Sequence, residues 1–390
     1  MVVDKRGLTK RADGKDFDTS RADSFDYAAF YRDMQQSEKL QVSREEMTWI
    51  QNYKEPDEPA DVVLNLSCGV QTVPHIMLVQ VALFEKLGIS FAATAGSQFC
   101  CGRMYQRYAK AATGDRMSAT SIRRFGSWQP TTSVQCCGSC FTEFEYQVAR
   151  SEEATGEHLF DVVHVTEFLR DKLADLGDSV PWRRPIPCRV LLHAEGAEMH
   201  ASKERQRAAV IDTLNMIPGV EYVGLAEDPS LGSPCATKGP GEPSILNDIT
   251  PDEYRQVQAE LEDQARAASA DMILTHHHHC TREWSKFSSS RAPITSYQLV
   301  LAEALGISIV DRFQVLWQLG DPEKVLEKSR PQWSSWGIDE DEAREMVKKF
   351  FVPKYAAAVQ RCPCESECTS GRTGSADDHA CPAGSRLAAD

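Results

Sequence analysis

The chain has 390 residues, of which 42% are hydrophobic, and it carries a formal net charge of −14. This length predicts two domains with extensions, and the acidic charge argues against a nucleic-acid partner, which would need a basic face. No apolar run approaches the roughly 20 residues that cross a bilayer, and the N-terminus lacks the apolar region of a secretory signal. We therefore expect a cytoplasmic protein whose thiols are reduced.

The N-terminal part of the chain predicts an extension before the first domain. Residues 1–20 are charged and poor in apolar groups, which is typical of a mobile tail. The segment 25–53 favours one or two helices. A buried strand follows at 61–69, where a short apolar run ends in a turn residue. The extension is therefore expected to span residues 1–57.

The first domain is predicted to alternate strands and helices. Apolar residues at helical spacing indicate a helix over 74–88, and a second strand follows at 89–96. A helical segment, a strand at 131–135 and another helix come next, and a last helix is predicted over 162–177. This order is typical of a parallel sheet with crossover helices, in which the carboxyl ends of the strands line one crevice.

Cysteines follow each of these predicted strands. The sequence "SCGV" comes after the first strand, "FCCGR" after the second and "CCGSC" after the third. Since the carboxyl ends of parallel strands share one edge of a sheet, the thiols are expected to converge. In a cytoplasmic protein, 13 cysteines that include two Cys-Cys-Gly repeats favour metal or redox ligands over disulfides or isolated buried thiols.

The second half of the chain repeats this plan in the same order. "CRVLLHAEG" matches the first strand and its loop, "GVEYVGLAEDPSLGSPC" the second and "DMILTHHHHC" the third. A helix predicted over 293–306 matches the one over 162–177. Four matched segments indicate an internal duplication. We predict an α/β protein with two similar parallel-sheet, Rossmann-like domains at 58–178 and 185–315, followed by a helical C-terminal extension with a Cys-rich tail at 316–390.

Five thiols from three loops form the predicted site of the first domain: Cys68, Cys100, Cys101, Cys137 and Cys140. Thiolates are soft ligands that suit iron–sulfur clusters or zinc. A tetrahedral zinc ion needs four ligands, and an adjacent pair cannot easily chelate one small ion, so five thiolates favour a multi-iron cluster. A zinc site with one spare thiol is the alternative.

This cysteine set resembles the cysteine-rich "CCG" domain of the B-type subunit of heterodisulfide reductase and its relatives, which include iron–sulfur subunits of glycolate and lactate oxidases. The resemblance covers residues 60–315 and rests on the spacing and the doubled Cys-Cys-Gly. It implies that the five thiols hold an unusual noncubane [4Fe–4S] cluster in which Cys100 and Cys101 bridge irons. Cys136 lies outside the pattern and is either a spare buried thiol or an alternative ligand.

The second domain departs from the family pattern. The positions equivalent to the thiols include His193, Cys235, His277 and Cys280. A second cluster of the same type is therefore not expected. Three interpretations stay open. These residues and neighbours within 276–279 bind zinc or iron, or histidines such as His278 protonate thiolate products beside the first cluster without a metal, or a degenerate domain uses its histidines only to hold the fold.

Two further features carry weaker signals. Arg103 directly follows Cys-Cys-Gly and either steers an anionic substrate or belongs to a solvated basic helix face or a partner-docking patch. The tail either closes a small metal knot or is disordered. Its thiols are Cys362, Cys364, Cys368 and Cys381.

The resemblance implies an oxidoreductase that acts on sulfur groups as part of a redox complex. A disulfide would be cleaved or formed at the first cluster. The candidate catalytic residues are Cys100, Cys101, His277 and His278. Since the sequence has no flavin or nicotinamide motif, we expect a ferredoxin-like iron–sulfur subunit and a flavoprotein as partners. The alternatives are a pure electron-transfer iron–sulfur subunit of a dehydrogenase complex and a non-redox zinc scaffold protein.

Overall fold

Two four-stranded parallel sheets, one in each half of the chain, organise the described part of the protein. The computed structural model describes residues 2–3, 9–10, 26–47, 49, 52–107, 110–194, 201–236, 244–353 and 355. A short antiparallel pair, β1 (Val2–Val3) and β2 (Thr9–Lys10), precedes both sheets. Helix α1 (Tyr27–Lys39) then begins at Asp26, whose side chain accepts a hydrogen bond from the Ala29 amide.

The first sheet and its helices form the first lobe. Its strands are β3 (Val62–Asn65), β4 (Phe91–Thr94), β5 (Thr132–Gln135) and β6 (Asp161–His164). Its helices are α2 (Pro74–Lys86), α3 (Arg103–Arg107), α4 (Ala111–Gly126), α5 (Gly138–Thr155) and α6 (Val165–Leu176). In space the strands follow the order β4-β3-β5-β6, all parallel. The connections diverge between β3 and β5, which makes their carboxyl ends the switch point where such sheets bind ligands.

The second sheet and its helices form the second lobe. Its strands are β7 (Cys188–His193), β8 (Val220–Ala226), β9 (Met272–Thr275) and β10 (Ile294–Ser296). Its helices are α7 (Ala201–Met216), α8 (Pro251–Ala267), α9 (His278–Ser285) and α10 (Tyr297–Ala304). The strand order β8-β7-β9-β10 matches the first sheet strand for strand, again with all strands parallel. This match confirms the predicted fold class, a duplicated Rossmann-like α/β arrangement.

The fourth strand of each sheet was not predicted. The sequence pattern predicts that these residues begin a helix. Strand β6 occupies the start of the expected helix over 162–177, and β10 the start of that over 293–306. Branched side chains such as Val162 favour extended backbone. Helices α6 and α10 then begin at His164 and Ser296, whose side chains each accept a hydrogen bond from the amide two residues on.

The two lobes pack against each other through helices. Helix α2 contacts α10, and α6 contacts α7. Gln80 Nε2 in α2 donates to Gln298 Oε1 in α10 at 3.3 Å. One apolar core continues across this boundary and includes Val79, Leu83 and Val300. Burial of this shared apolar surface holds the lobes together.

A helical C-terminal extension packs on the N-terminal one. Its helices are α11 (Arg312–Gln318), α12 (Pro322–Lys328), α13 (Arg330–Ser335) and α14 (Glu340–Phe351). Arg312 forms an ion pair with Glu46 and donates to the Gln41 carbonyl at 3.0 Å. Trp336 Nε1 donates to the Val42 carbonyl at 2.9 Å. The two extensions therefore brace each other beside the first lobe.

Within the described residues, no helix combines the length and the apolar character that a membrane crossing requires. The expected mobile tail at 1–20 lies mostly outside the described residues. The Cys-rich tail, with Cys362, Cys364, Cys368 and Cys381, lies entirely outside them.

Candidate functional site

The structure brings the five predicted sulfur ligands to one rim of the first sheet. Cys68 follows β3, the pair Cys100 and Cys101 follows β4, and Cys137 and Cys140 follow β5. Parallel strands present their carboxyl ends at one edge, so residues from three distant loops meet there. None of the nine described cysteines forms a disulfide bond.

Each of these five thiols shifts the pKa of its neighbours, in an order that runs along one chain. Cys68 pairs with Cys100, and Cys100 with Cys101. Cys101 pairs with Cys140, and Cys140 with Cys137. Among the described residues, the group whose metal-binding atoms all lie within 4.8 Å of one another is elsewhere, in the second lobe. The five sulfurs are therefore spread along a chain, which suits a group of several metal atoms better than a single ion.

These interactions shift the thiol pKa values in opposite directions. Hydrogen bonds from Cys101 and Cys68 hold the pKa of Cys100 well below its usual range, and the one from Cys140 does the same for Cys137. The hydrogen bond to Cys100 raises the pKa of both Cys68 and Cys101. The hydrogen bond to Cys101 raises that of Cys140. The site thus favours thiolates at two positions, and the thiolate is the form that binds metal.

Cys100 also has two partners outside the thiol chain. Tyr31 Oη lies 2.8 Å from its Sγ, and the Gly102 amide donates to the same sulfur at 3.3 Å. Burial, and then the charge of Cys100, raises the pKa of Tyr31. Because Tyr31 belongs to α1, the N-terminal extension covers this edge of the site. The sequence does not reveal the contact, since the two residues are 69 positions apart.

Gly102 gives the Cys-Cys-Gly loop its shape. Its φ is +74°, in the left-handed region that side chains disfavour. A Cβ at this position would also collide with the Gly114 carbonyl oxygen in the first turn of α4. Conformation and space therefore both require glycine beside the paired thiols.

Arg103, the next residue, is buried and does not belong to a solvated helix face. Its Nη1 lies 4.0 Å from Oε2 of Glu143, which is itself fully buried. Gln106 and Gln147 donate to Glu143 Oε1 at 2.7 and 3.0 Å. This network ties α3 to α5 next to the thiol site.

Histidines of the second lobe reach the thiol site of the first. His278 Nε2 lies 2.8 Å from the place that a Cβ of Gly69 would take, and His277 Cε1 lies 3.0 Å from that of Gly138. The ring centroid of His277 is 5.6 Å from that of His164 at the end of β6. Glycines at 69 and 138 therefore permit the close approach of the two lobes.

Burial disfavours the charged form of these imidazoles. It lowers the pKa of His277 and of His278, and at His278 the charge of Cys137 opposes the shift. Burial, and then Arg282, lowers the pKa of His279 to about 4. Imidazole rings whose neutral form is favoured by burial thus face the Cys137 end of the thiol chain.

A second group of metal-binding side chains lies in the second lobe. The ligand atoms of His193, Cys235 and Cys280 all lie within 4.8 Å of one another. His193 ends β7, Cys235 follows β8 and Cys280 lies in the first turn of α9. His277, which the sequence placed with this group, instead contacts Gly138 in the first lobe.

An open surface depression of about 200 Å³ borders Cys100. Its lining includes the cationic side chains Arg116 and Arg124 of α4, together with Thr113 and Met117. Two guanidinium groups favour an anionic occupant.

Two other described cysteines are core residues. Cys136 packs into the apolar core, and burial raises its pKa. Cys188 opens β7 and lies in the same core.

Comparison with known proteins assigns the first lobe to a class. Residues 62–145 match the model of the cysteine-rich domain family CCG. The matched segment contains all five thiols of the sheet rim. Residues 62–145 of the first lobe are therefore similar to the cysteine-rich CCG domain, and the resemblance inferred from the sequence is confirmed for this segment.

Two curated proteins share sequence with a larger part of the chain. The D-type subunit of dihydromethanophenazine:CoB–CoM heterodisulfide reductase from Methanosarcina barkeri is 22% identical over 285 residues, which cover 69% of this chain and 65% of that protein. Its counterpart from Methanosarcina acetivorans is 24% identical over 238 residues, which cover 58% of this chain and 54% of that protein. The chain thus matches less than two thirds of the length of these relatives.

A solved structure gives a weaker match. The crystal structure of a hypothetical protein from Helicobacter pylori superimposes with a TM-score of 0.42 and 10% identity, over 74% of this chain and 56% of that one. This similarity is too low to support an argument about fold or function.

Proposed function

We propose that this protein is the iron–sulfur subunit of a heterodisulfide reductase-like redox complex, and an oxidoreductase that acts on sulfur groups. A noncubane [4Fe–4S] cluster would be held in the first lobe, and a disulfide would be cleaved or formed beside it. The ligands would be Cys68, Cys100, Cys101, Cys137 and Cys140. The observation that carries the proposal is the convergence of these five sulfur donors at the switch point of a CCG domain.

The donor set fits such a cluster in kind and arrangement. Five soft thiol ligands form one connected group, whereas zinc would leave at least one of them without a metal. An apolar core that includes Phe99 and Phe144 surrounds Cys101 and Cys140. The Gly102 amide donates to the Cys100 sulfur, and hydrogen bonds of this type tune the potential of a cluster.

The chain's own residues can serve the proton transfers of disulfide chemistry. When bound, a cluster supplies electrons one at a time, while cleavage of a disulfide to two thiols consumes two electrons and two protons. His277 and His278 lie against the first lobe at the edge of the thiol site. We assign them the exchange of protons with the substrate sulfurs, and Cys100 and Cys101 would hold the cluster beside the reacting substrate.

We assign the approach of a substrate to the open depression beside Cys100. Arg116 and Arg124 in its lining favour an anionic disulfide or thiol. Electrons would be exchanged with a ferredoxin-like iron–sulfur subunit and then a flavoprotein, in the cytoplasm.

Metal analysis and electron paramagnetic resonance test this proposal. Full-length protein purified without oxygen should contain about four iron atoms and as many sulfides per chain. Its paramagnetic signal should appear on oxidation and change shape when 2-mercaptoethanol is added. A signal that ignores the thiol would contradict substrate chemistry in favour of electron transfer. Colourless, iron-free protein would contradict the cluster itself.

Gly69→Ala tests the role of His278. The new methyl group would lie 2.8 Å from His278 Nε2, so the ring has to move away. If His278 transfers a proton, reduction of 2-hydroxyethyl disulfide by reduced methyl viologen should slow on the order of 100-fold, as in His278→Ala. The iron content should not change.

Gly126→Ala is the matched control for this variant, because a Cβ at Gly126 meets no atom within 4 Å. It should leave the rate unchanged. The double variant Gly69→Ala/His278→Ala should be no slower than His278→Ala alone, since both substitutions act through the same His278 ring. Additive losses would show that Gly69 acts independently of His278.

A further inference from the structure

We propose that His193, Cys235 and Cys280 bind one divalent ion of the zinc class in the second lobe. Their ligand atoms already lie within 4.8 Å of one another. Around tetrahedral zinc, with bonds of about 2.1 Å to nitrogen and 2.3 Å to sulfur, the donors would be roughly 3.5–3.8 Å apart. Small side-chain movements therefore suffice to close the site. Three protein donors are enough, since catalytic zinc sites use three and complete their coordination with water or substrate.

The position of these residues in the fold supports a metal site. They leave the second sheet from the same three loops that carry the thiols of the first sheet, at the equivalent switch point. The donors here are one imidazole and two thiols, a mixture that is common for zinc. The equivalent strand ends of both sheets thus carry metal-binding side chains. In the first lobe these are five thiols, and in the second lobe they are one imidazole and two thiols that lie close together.

The surroundings of His193 are those of a metal ligand. The ring of buried Trp284 lies 4.0 Å from the imidazole, centroid to centroid. Asp228 Oδ1 lies 3.5 Å from His193 Nε2. A carboxylate on one ring nitrogen fixes the tautomer and orientation of a histidine whose other nitrogen binds metal. Asp228 is therefore a positioning residue for this site.

Charge also favours a cation at this place. Two thiolates beside a carboxylate would be costly in a largely buried group, and a divalent ion compensates them. His193 and Cys280 are buried and Cys235 is half-buried. The Cys235 carbonyl lies 3.2 Å from His279 Nε2, which anchors the loop after β8 to α9.

Zinc, iron and sulfide measured together on full-length protein test the site. Protein purified without oxygen from zinc-supplemented medium should contain one zinc per chain in addition to any iron. Cys235→Ser and Cys280→Ser should each lose the zinc and keep the iron and sulfide. Cobalt added to the metal-depleted protein should give a thiolate-to-cobalt charge-transfer band, which either variant should weaken.

Cys188→Ser is the matched control, because Cys188 is a buried cysteine of the same lobe outside the group. It should keep the zinc. Cys235 is the less buried of the two ligand thiols, so Cys235→Ser remains informative if Cys280→Ser fails to fold. Zinc that persists in Cys235→Ser, or iron and sulfide lost with it, would overturn the proposal. Failure of the first-lobe cluster would appear separately, as missing iron with zinc retained.

Asp228→Asn separates positioning from ligation. The variant should still bind one zinc per chain, but roughly 10–100-fold more weakly in competition with a chelator. Asp228→Glu should restore part of the affinity. An unchanged affinity in Asp228→Asn would remove Asp228 from the site.

Discussion

Cys100→Ala is expected to remove the iron and sulfide of the protein and to abolish reduction of 2-hydroxyethyl disulfide. Cys100 Sγ lies 2.8 Å from Tyr31 Oη and accepts a hydrogen bond from the Gly102 amide, and Cys101 and Cys68 lower its pKa, so it has the most partners of the five thiols. Loss of an outer partner of a metal ligand costs roughly 10–100-fold in affinity, and loss of a central ligand should cost more. Iron per chain, the visible absorption and the reduction rate measure the effect.

Cys136→Ala is the control for this variant. Cys136 is also buried and directly precedes Cys137, but it packs into the apolar core. Removing its sulfur should lower the free energy of unfolding by about 1 kcal/mol, as expected for a small cavity, and leave the iron content unchanged. If both variants lost iron to the same extent, Cys136 would have to count as an alternative ligand. If Cys100→Ala kept its iron, the proposed ligand set would be wrong.

The sheets and the position of the thiols could be predicted because they depend on local patterns. Short apolar runs mark the strands, cysteine follows each run, and a parallel sheet brings the strand ends together. The fourth strands were missed for a local reason as well. In "DVVHVTEFL" the branched residues of β6 stand directly before a helix, and their pattern alone does not separate a strand from a first helical turn.

Contacts between distant segments could not be predicted. Tyr31 meets Cys100 only because the N-terminal helix packs on the first lobe. Arg103 looks like part of a basic surface helix in the sequence, yet it is buried near Glu143 on α5. Hydrophobic periodicity reports which face of an element is apolar but not which partner covers it.

The histidine run shows the same limit within a few residues. The sequence placed His277 and Cys280 in one ligand set, but His277 lies against Gly138 of the first lobe, while Cys280 lies near His193 and Cys235 of the second. Successive side chains of an α-helix are rotated by about 100°, so Cys280 points roughly opposite to His278. Helix α9 thus directs Cys280 toward His193 and Cys235 while His278 lies against Gly69. One short helix therefore links the group in the second lobe to the thiol site of the first.

Gly102→Ala is expected to be the most destabilising single methyl addition in the first lobe. Gly156→Ala is its control, because Gly156 has the same φ of +74° but a Cβ there meets no atom within 4 Å. A non-glycine residue in this conformation costs about 1–2 kcal/mol, which is the whole effect expected at Gly156. At Gly102 the collision with the Gly114 carbonyl oxygen adds to it, for a total beyond about 4 kcal/mol. Urea unfolding of the metal-free, reduced proteins gives both free energies of unfolding. If Gly102→Ala and Gly156→Ala lose the same amount, α4 moves away from the new methyl group without loss of stability.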